Sequence, residues 1–211
     1  VDIITKNRYV VKNISVLFDV IFEKTEAEVI IDSSKSAKRA AILKPFLVKE
    51  GYHVKIIHLI RDGRAVFYSY KKGYYKLKIK NESTGVYELK TISTGMQKSN
   101  EEIIGIWKND NKLSSYYHNF FTSPDYYKLY YEFFTNNPKE ELQKLINFIG
   151  FEFEDEMLDL TRYKNHMVAG NASRINATAI HAPLETWRDK LTSDELAYFD
   201  KGHEDIENQA T

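Results

Sequence analysis

Arg61 and Ser69 are the residues best placed to do chemistry in this sequence: a guanidinium and a hydroxyl, eight positions apart, on either side of Asp62-Gly63. A planar guanidinium clamps the oxygens of a phosphate-like anion bidentately, and a serine hydroxyl adds a neutral donor. The segment is therefore a candidate anion site. A structural alternative stands beside it, in which Arg61 binds carbonyls at a strand end and Ser69 is an ordinary helix residue. Asp32, the carboxylate nearest a second strand exit, can act as a base or form a turn. His58 lies inside an apolar run and reads as a hydrogen-bonded core histidine.

These groups need elements to hold them. Ile56, Ile57, Leu59 and Ile60 form a continuous, β-branched-rich run, which suits a strand buried on both faces of a parallel sheet. Ligands of such sheets bind beyond the carboxyl ends of strands, where Arg61 falls. Asp62-Gly63 supplies turn chemistry, and a helix over Arg64 to Tyr70 returns Ser69 towards the same edge.

Upstream, Ile14, Leu17, Phe18 and Ile21 predict an amphipathic helix over Asn13 to Phe22. A short strand follows at Ala27 to Ile31, then a helix from Ser36 to Leu43 that Pro45 interrupts. With the strand ending at Ile60 this makes a β-α-β unit, hence a right-handed crossover. Residues 71–100 are the least regular and read as a flexible insertion or lid, flanked by Tyr68, Tyr70, Tyr74 and Tyr75, which could stack on an acceptor or simply pack.

Helical spacing resumes over Glu101 to Phe121, and Tyr126 to Phe134 reads as a strand. Asn137-Pro138-Lys139-Glu140 is a helix start with a capping box, Leu142, Leu145, Ile146 and Ile149 its buried stripe, and Gly150 its stop. A last helix begins at Thr192, with Glu195 completing a second capping box.

The 211 residues suit one domain, 1–211, and thirty basic residues balance thirty acidic ones. That balance gives no overall polyanion-binding signature, so nucleic acid is not expected as a partner. The absence of cysteine excludes disulfides, zinc-thiolate sites and thiol nucleophiles, and favours a reducing, cytoplasmic setting. Sequons at Asn13, Asn81, Asn171 and Asn176 would matter only in a secreted chain. No apolar run reaches the roughly 20 residues that span a bilayer, and no signal peptide opens the sequence. The chain begins at Val1 rather than Met and reads as a fragment. No P-loop spacing and no histidine-carboxylate metal cluster are present.

Four segments in order then resemble one family: Ile31-Asp-Ser-Ser-Lys35; His58-Leu-Ile-Arg-Asp-Gly-Arg-Ala-Val66 with Ser69; Leu129-Tyr-Tyr-Glu132 before Asn137-Pro138 and Phe148-Ile-Gly150; and His166 with Gly170-Asn-Ala-Ser-Arg174 before Trp187. Together they resemble sulfotransferases that use 3′-phosphoadenosine 5′-phosphosulfate. The resemblance implies a three-layer α/β/α fold with a central parallel sheet, related to the P-loop NTPases and here N-terminally incomplete. It implies transfer of a sulfuryl group to a hydroxyl or amine of a carbohydrate, small-molecule or peptide acceptor, without a metal.

By the same resemblance Arg61 and Ser69 grip the 3′-phosphate and Tyr131 approaches the adenine, unless Tyr131 is a core tyrosine. Arg174 matches a Gly-Asn-x-x-Arg motif and adds to phosphate binding, although the Arg-Gly pair that follows in many members is replaced by Ile175 to His181. Lys35 matches a lysine that family members place in the turn after this strand; it would neutralise charge on the transferred group, or else face solvent. The general base has no clear match, with Asp32 the candidate. The family's Gly/Ser/Thr-rich phosphosulfate loop has no counterpart before residue 27. A non-catalytic nucleotide-binding or scaffold relative that has lost this loop is the alternative reading.

Overall fold

Val11, Ile14 and Phe18 recur at helical spacing and set the first packing surface. The computed structural model, which describes residues 3–93, 95, 98–120, 123–162, 169–170 and 177–200, buries them on α1 (Ile3–Thr25) against Leu43 and Leu47 of α2 (Ala37–Lys49). Leu17, expected in the stripe, instead lies on the opposite side and is 54% exposed. Pro45 was expected to stop α2, yet the helix runs through it. A mid-helix proline costs about 3 kcal/mol. Burying Leu43 and Leu47 returns roughly 1.5–3 kcal/mol each, which outweighs the lost hydrogen bond.

The chain divides into two compact units, residues 1–58 with 109–127 and residues 59–108 with 128–211. In the first, the predicted strand at Ala27 to Ile31 is not formed: residues 26–36 carry no ladder, and Ile31 is 79% exposed. Apolar, β-branched composition marks strand capacity, but a strand needs a hydrogen-bonded neighbour. The expected β-α-β unit is thus an irregular segment, α2 and then β1 (Ile56–Ile60). His58 is the core histidine expected, with Nδ1 2.6 Å from the Tyr126 hydroxyl and Nε2 3.1 Å from Asn111 Oδ1. Lys44 is buried and donates to Asp125 at 2.9 Å.

β1 pairs with β4 (Tyr126–Tyr130) in a two-stranded parallel sheet, so the fold is mixed α/β. The run 56–60 was expected to be buried on both faces; instead His58 and Ile60 are buried while Leu59 is 54% exposed. A continuous apolar run shows what a strand can bury, and only one side of this one is covered. Tyr131, Glu132, Phe133 and Phe134, read from sequence as the end of β4, form the helix α5 (Tyr131–Asn136), in which the Thr135 hydroxyl bonds back to the Tyr131 carbonyl at 2.8 Å.

The second unit is built around Phe67 of α3 (Gly63–Lys71), Ile103 and Ile104 of α4 (Asn100–Phe120), Trp187, Leu191, and Phe199 of α7 (Ser193–Asp200). α6 (Pro138–Ile149) starts at its proline and ends at Gly150 with φ +98°, as expected. Its capping box is not made: Asn137 makes no side-chain cap bond, and Glu140 pairs with Lys144 at 2.8 Å. The box at α7 is made, with Thr192 N–H to Glu195 Oε2 at 3.0 Å and Glu195 N–H to Thr192 Oγ1 at 3.3 Å. Residues 71–100, irregular in the sequence reading, hold β2 (Tyr74–Lys80) and β3 (Tyr87–Ser93), which pair antiparallel, with β5 (Ala169–Gly170) on the other edge of β2. Among the described residues no helix is long and apolar enough to cross a membrane.

The hydrogen bond from Lys44 holds the Asp125 carboxyl below its ordinary range, against the opposing effect of burial. A carboxyl depressed in the folded state contributes stability above its unfolded pKa and loses it as pH falls through the folded value. Asp125→Ala should cost about 1.5–3 kcal/mol near pH 7, as for a hydrogen bond between charged groups. The thermal melts of the variant and the parent should begin to approach one another as pH falls below about 4 and come closest only once it has passed the depressed folded value; a gap that stays constant down to acid pH would show that the pair contributes no charge term.

Candidate functional site

The junction between β1 and α3 is fixed before any ligand arrives. Asp62 caps α3, its Oδ1 accepting from the Arg64 N–H at 2.8 Å, while its own backbone N–H donates to Glu132 Oε1 at 3.0 Å. The preceding carbonyl, that of Arg61, accepts from Trp107 Nε1 at 3.1 Å. Both sides of the Arg61-Asp62 peptide are thus held by side chains distant in sequence. Glu132 was not singled out from sequence; its only signal was its place beside Tyr131.

Arg61 is thereby aimed without being neutralised. Its guanidinium carbon sits 4.6 Å from the centre of the Tyr131 ring. Its Nε is buried with no hydrogen-bond partner among the described residues. A buried donor left without an acceptor costs about 1–3 kcal/mol, so natural structures rarely keep one without a reason. An anion at the guanidinium would supply such a reason. The structure thus brings together two of the residues named from sequence, Arg61 and Tyr131.

The neighbouring arginines are different. Arg64 forks onto Asp62, with Nε to Oδ1 at 3.0 Å and Nη2 to Oδ2 at 2.7 Å, and lies 4.2 Å from the Trp187 ring. The Asp62 hydrogen bond raises the Arg64 pKa despite burial. Arg188 contacts the same ring at 4.6 Å and is bonded to Glu185. Of these three cations, Arg61 alone lacks a carboxylate among the described residues.

Ser69 lies on α3 six residues beyond its first residue, about 9 Å along the axis at 1.5 Å per residue, and it is exposed. Arg174 falls outside the described residues. Gly63, between the two phosphate-site candidates, is required by space: a Cβ there would lie 2.9 Å from Phe199 Cε1 and 3.0 Å from Trp107 Cζ2.

Lys35 and Asp32 lie on the irregular segment of the first unit. Asp32 Oδ1 accepts from the Ser34 N–H at 2.9 Å, and Oδ2 accepts from Arg39 Nη2 at 3.1 Å. Burial works to raise the Asp32 pKa, but the hydrogen bonds from Ser34 and Arg39 prevail and hold it below its ordinary range. Lys35 is exposed and adopts φ +62°, a left-handed conformation that costs a non-glycine residue roughly 1–2 kcal/mol. Ser36 then caps α2, accepting from Arg39 N–H at 3.2 Å. Strain of this kind concentrates at functional turns.

A family model described as the sulfotransferase domain matches residues 36–205. The chain belongs to the sulfotransferase family. Arg61, Ser69, Tyr131 and Arg174 fall inside the matched span, and Asp32 and Lys35 just before it. A solved structure described as "Sulfotransferase Domain from the Curacin Biosynthetic Pathway" is similar over 93% of this chain and 72% of that one, with a TM-score of 0.57 and 16% identity, a likeness of fold. No curated protein sequence matches the chain.

Gly63→Ala gains up to about 1 kcal/mol in helix propensity but pushes a methyl into two aromatic rings of the core, an overpacking worth about 1–3 kcal/mol. A net loss of stability is expected in urea melts, with weaker anion binding as Trp107 shifts from the Arg61 carbonyl. A variant as stable as the parent would show that the rings yield freely.

Proposed function

We propose that this sulfotransferase takes 3′-phosphoadenosine 5′-phosphosulfate as donor and transfers its sulfuryl group to a hydroxyl or amine of an acceptor. In the reaction the acceptor oxygen or nitrogen forms the new bond to sulfur, the sulfur–oxygen bond to the 5′-phosphate breaks, and the acceptor loses a proton. The products are the sulfated acceptor and adenosine 3′,5′-bisphosphate. The proposal carries with it the three-layer α/β/α arrangement and the P-loop-type fold of such enzymes. Its main support is the Nε of Arg61 over Tyr131, buried and without a partner among the described residues, in a guanidinium whose backbone is braced by Trp107 and whose neighbour Asp62 is braced by Glu132.

In this reading Arg61 and Ser69 hold the 3′-phosphate. The guanidinium supplies charge and direction, and the hydroxyl supplies a donor that needs no counter-ion. Tyr131 gives the adenine an aromatic neighbour while its ring also bears the Arg61 cation. Arg174 adds a further cation to the nucleotide. The donor brings an activated sulfuryl group, and Lys35 stabilises the negative charge that develops as that group moves. Asp32, bound by Arg39 and depressed in pKa, is a weak base, and its stronger contribution is to hold the turn that presents Lys35.

Calorimetry should show tighter binding of adenosine 3′,5′-bisphosphate than of adenosine 5′-monophosphate. Arg61→Met, which keeps apolar bulk beside Tyr131, should remove about 1.5–3 kcal/mol of that preference. Equal affinity of the parent for both nucleotides would refute the phosphate assignment.

Lys35→Gly separates catalysis from folding, because glycine accepts φ +62° freely. The variant should melt no earlier than the parent and should bind the bisphosphate equally well. Turnover of the complete protein should nevertheless fall on the order of 100-fold, the loss typical of one preorganised donor. Unchanged turnover would return Lys35 to the surface.

A further inference from the structure

Alternation along β2 places Tyr74, Lys76, Lys78 and Lys80 on one face of the hairpin and Leu77 and Ile79 on the other. The antiparallel register pairs that lysine face with Ser93, Thr91, Leu89 and Tyr87 of β3, none of them acidic. Directly paired residues share a face, so Glu88, the one carboxylate of the two strands, lies opposite Ile79 on the reverse side, where it accepts from Asn81 Nδ2 at 2.8 Å.

No ion pair involves Lys76, Lys78 or Lys80 among the described residues. Lys76 bonds instead to the Thr91 hydroxyl, and Lys78 Nζ stands 5.3 Å from the centre of the Tyr87 ring. Tyr74 and Tyr87 are 47% and 59% exposed and bracket the row.

Three like charges repeating on one strand repel one another, and a solubilising surface would intersperse acids among them. The repeat is about 6.8 Å, so the three span roughly 14 Å, a row matched by an extended ligand bearing anions in series and not by a single anion. Exposed tyrosine rings, with Thr91 and Ser93 hydroxyls beside them, offer stacking and hydrogen bonding to a hydroxyl-rich chain. Nucleic acid fits less well, since the protein has a pI near 7.2 and no wider basic footprint. A membrane surface fits less well because the side chains around the lysines on this face are mainly hydroxyl-bearing and lack the large apolar set that inserts.

We infer that the lysine face of the hairpin holds an acidic polysaccharide, carboxylated or sulfated, as the acceptor chain. The inference deepens the acceptor-sulfating reading above and rests on it. It gives that reading a substrate class, and β2 follows directly in sequence from α3, the helix that carries Ser69.

The test is calorimetry of the whole protein with a defined oligomannuronate, beside a neutral dextran oligomer, a DNA single strand of equal charge and phosphatidylserine vesicles. The uronate should bind, the dextran should not, and DNA and vesicles should bind more weakly. Lys76→Gln, Lys78→Gln and Lys80→Gln combined should weaken uronate binding on the order of tenfold or more, since three surface charge contacts together amount to about that. The corresponding triple arginine variant should restore binding, and glutamine at Lys12, Lys24 and Lys49 should leave it intact. Lys80→Gln alone, at an exposed position, carries the test if the triple variant unfolds.

Equal uronate affinity of the glutamine variants and the parent, or equal binding of dextran, would overturn the inference. DNA or vesicles binding as tightly as the uronate would replace the polysaccharide with that partner. Binding of adenosine 3′,5′-bisphosphate, read on the same samples, keeps the two proposals apart: its absence alongside lysine-dependent uronate binding would sink the donor assignment and leave the surface standing.

Discussion

The hydrogen bond from the Asp62 backbone to Glu132 is the constraint on which the candidate site depends. A strand that ends in a guanidinium has no intrinsic way to aim it: the turn is short, the arginine has four rotatable bonds, and solvent would take it. Glu132 fixes the N–H on one side of the turn and Trp107 fixes the carbonyl on the other. The N-cap by Asp62 then sets where α3 begins. The cost falls on residue 63, where the rings of Trp107 and Phe199 leave room for hydrogen alone. One peptide unit thus ties helix capping, core packing and the placement of the Arg61 guanidinium together, and none of these could change without moving the other two.

Some of this was legible in the sequence and some was not, for reasons that follow the range of each interaction. The capping box at Thr192 and Glu195, the proline start and glycine stop of α6, and the turn at Asp62-Gly63 are local, set by residues within four positions of one another, and they could be read. Pro45 could not, because its local penalty is overruled by burial of Leu43 and Leu47 against another helix. The strand at 27–31 failed for the same reason in reverse, since its composition suits a ladder but no partner strand pairs with it. The helix at Tyr131 was hidden in a run of aromatic residues that strands also favour.

For the site, residue type and spacing pointed to Arg61, and family likeness to Tyr131, but neither could show that the two touch or that Glu132 and Trp107 hold the turn. Those contacts span 46 and 70 positions of sequence. Asp32 shows the converse. Its carboxylate was legible as a candidate base, and only its bonds to Ser34 and Arg39, with the lowered pKa they cause, show it to be occupied in shaping a turn.

The charge balance of the chain gains its meaning at this level. Thirty acids and thirty bases suggest a surface without electrostatic intent. Yet neutrality here is assembled locally: Arg39 is matched by Asp32, Lys44 by Asp125, Arg64 by Asp62, Lys71 by Glu195 and Arg188 by Glu185. Pairing of that kind is short-ranged, and at physiological salt a paired charge is nearly invisible beyond about 8 Å. What an approaching anion senses is the remainder. Among the described residues that remainder includes Arg61 at the end of β1 and Lys76, Lys78 and Lys80 along β2, the charges that the proposed nucleotide and the proposed acidic chain would meet.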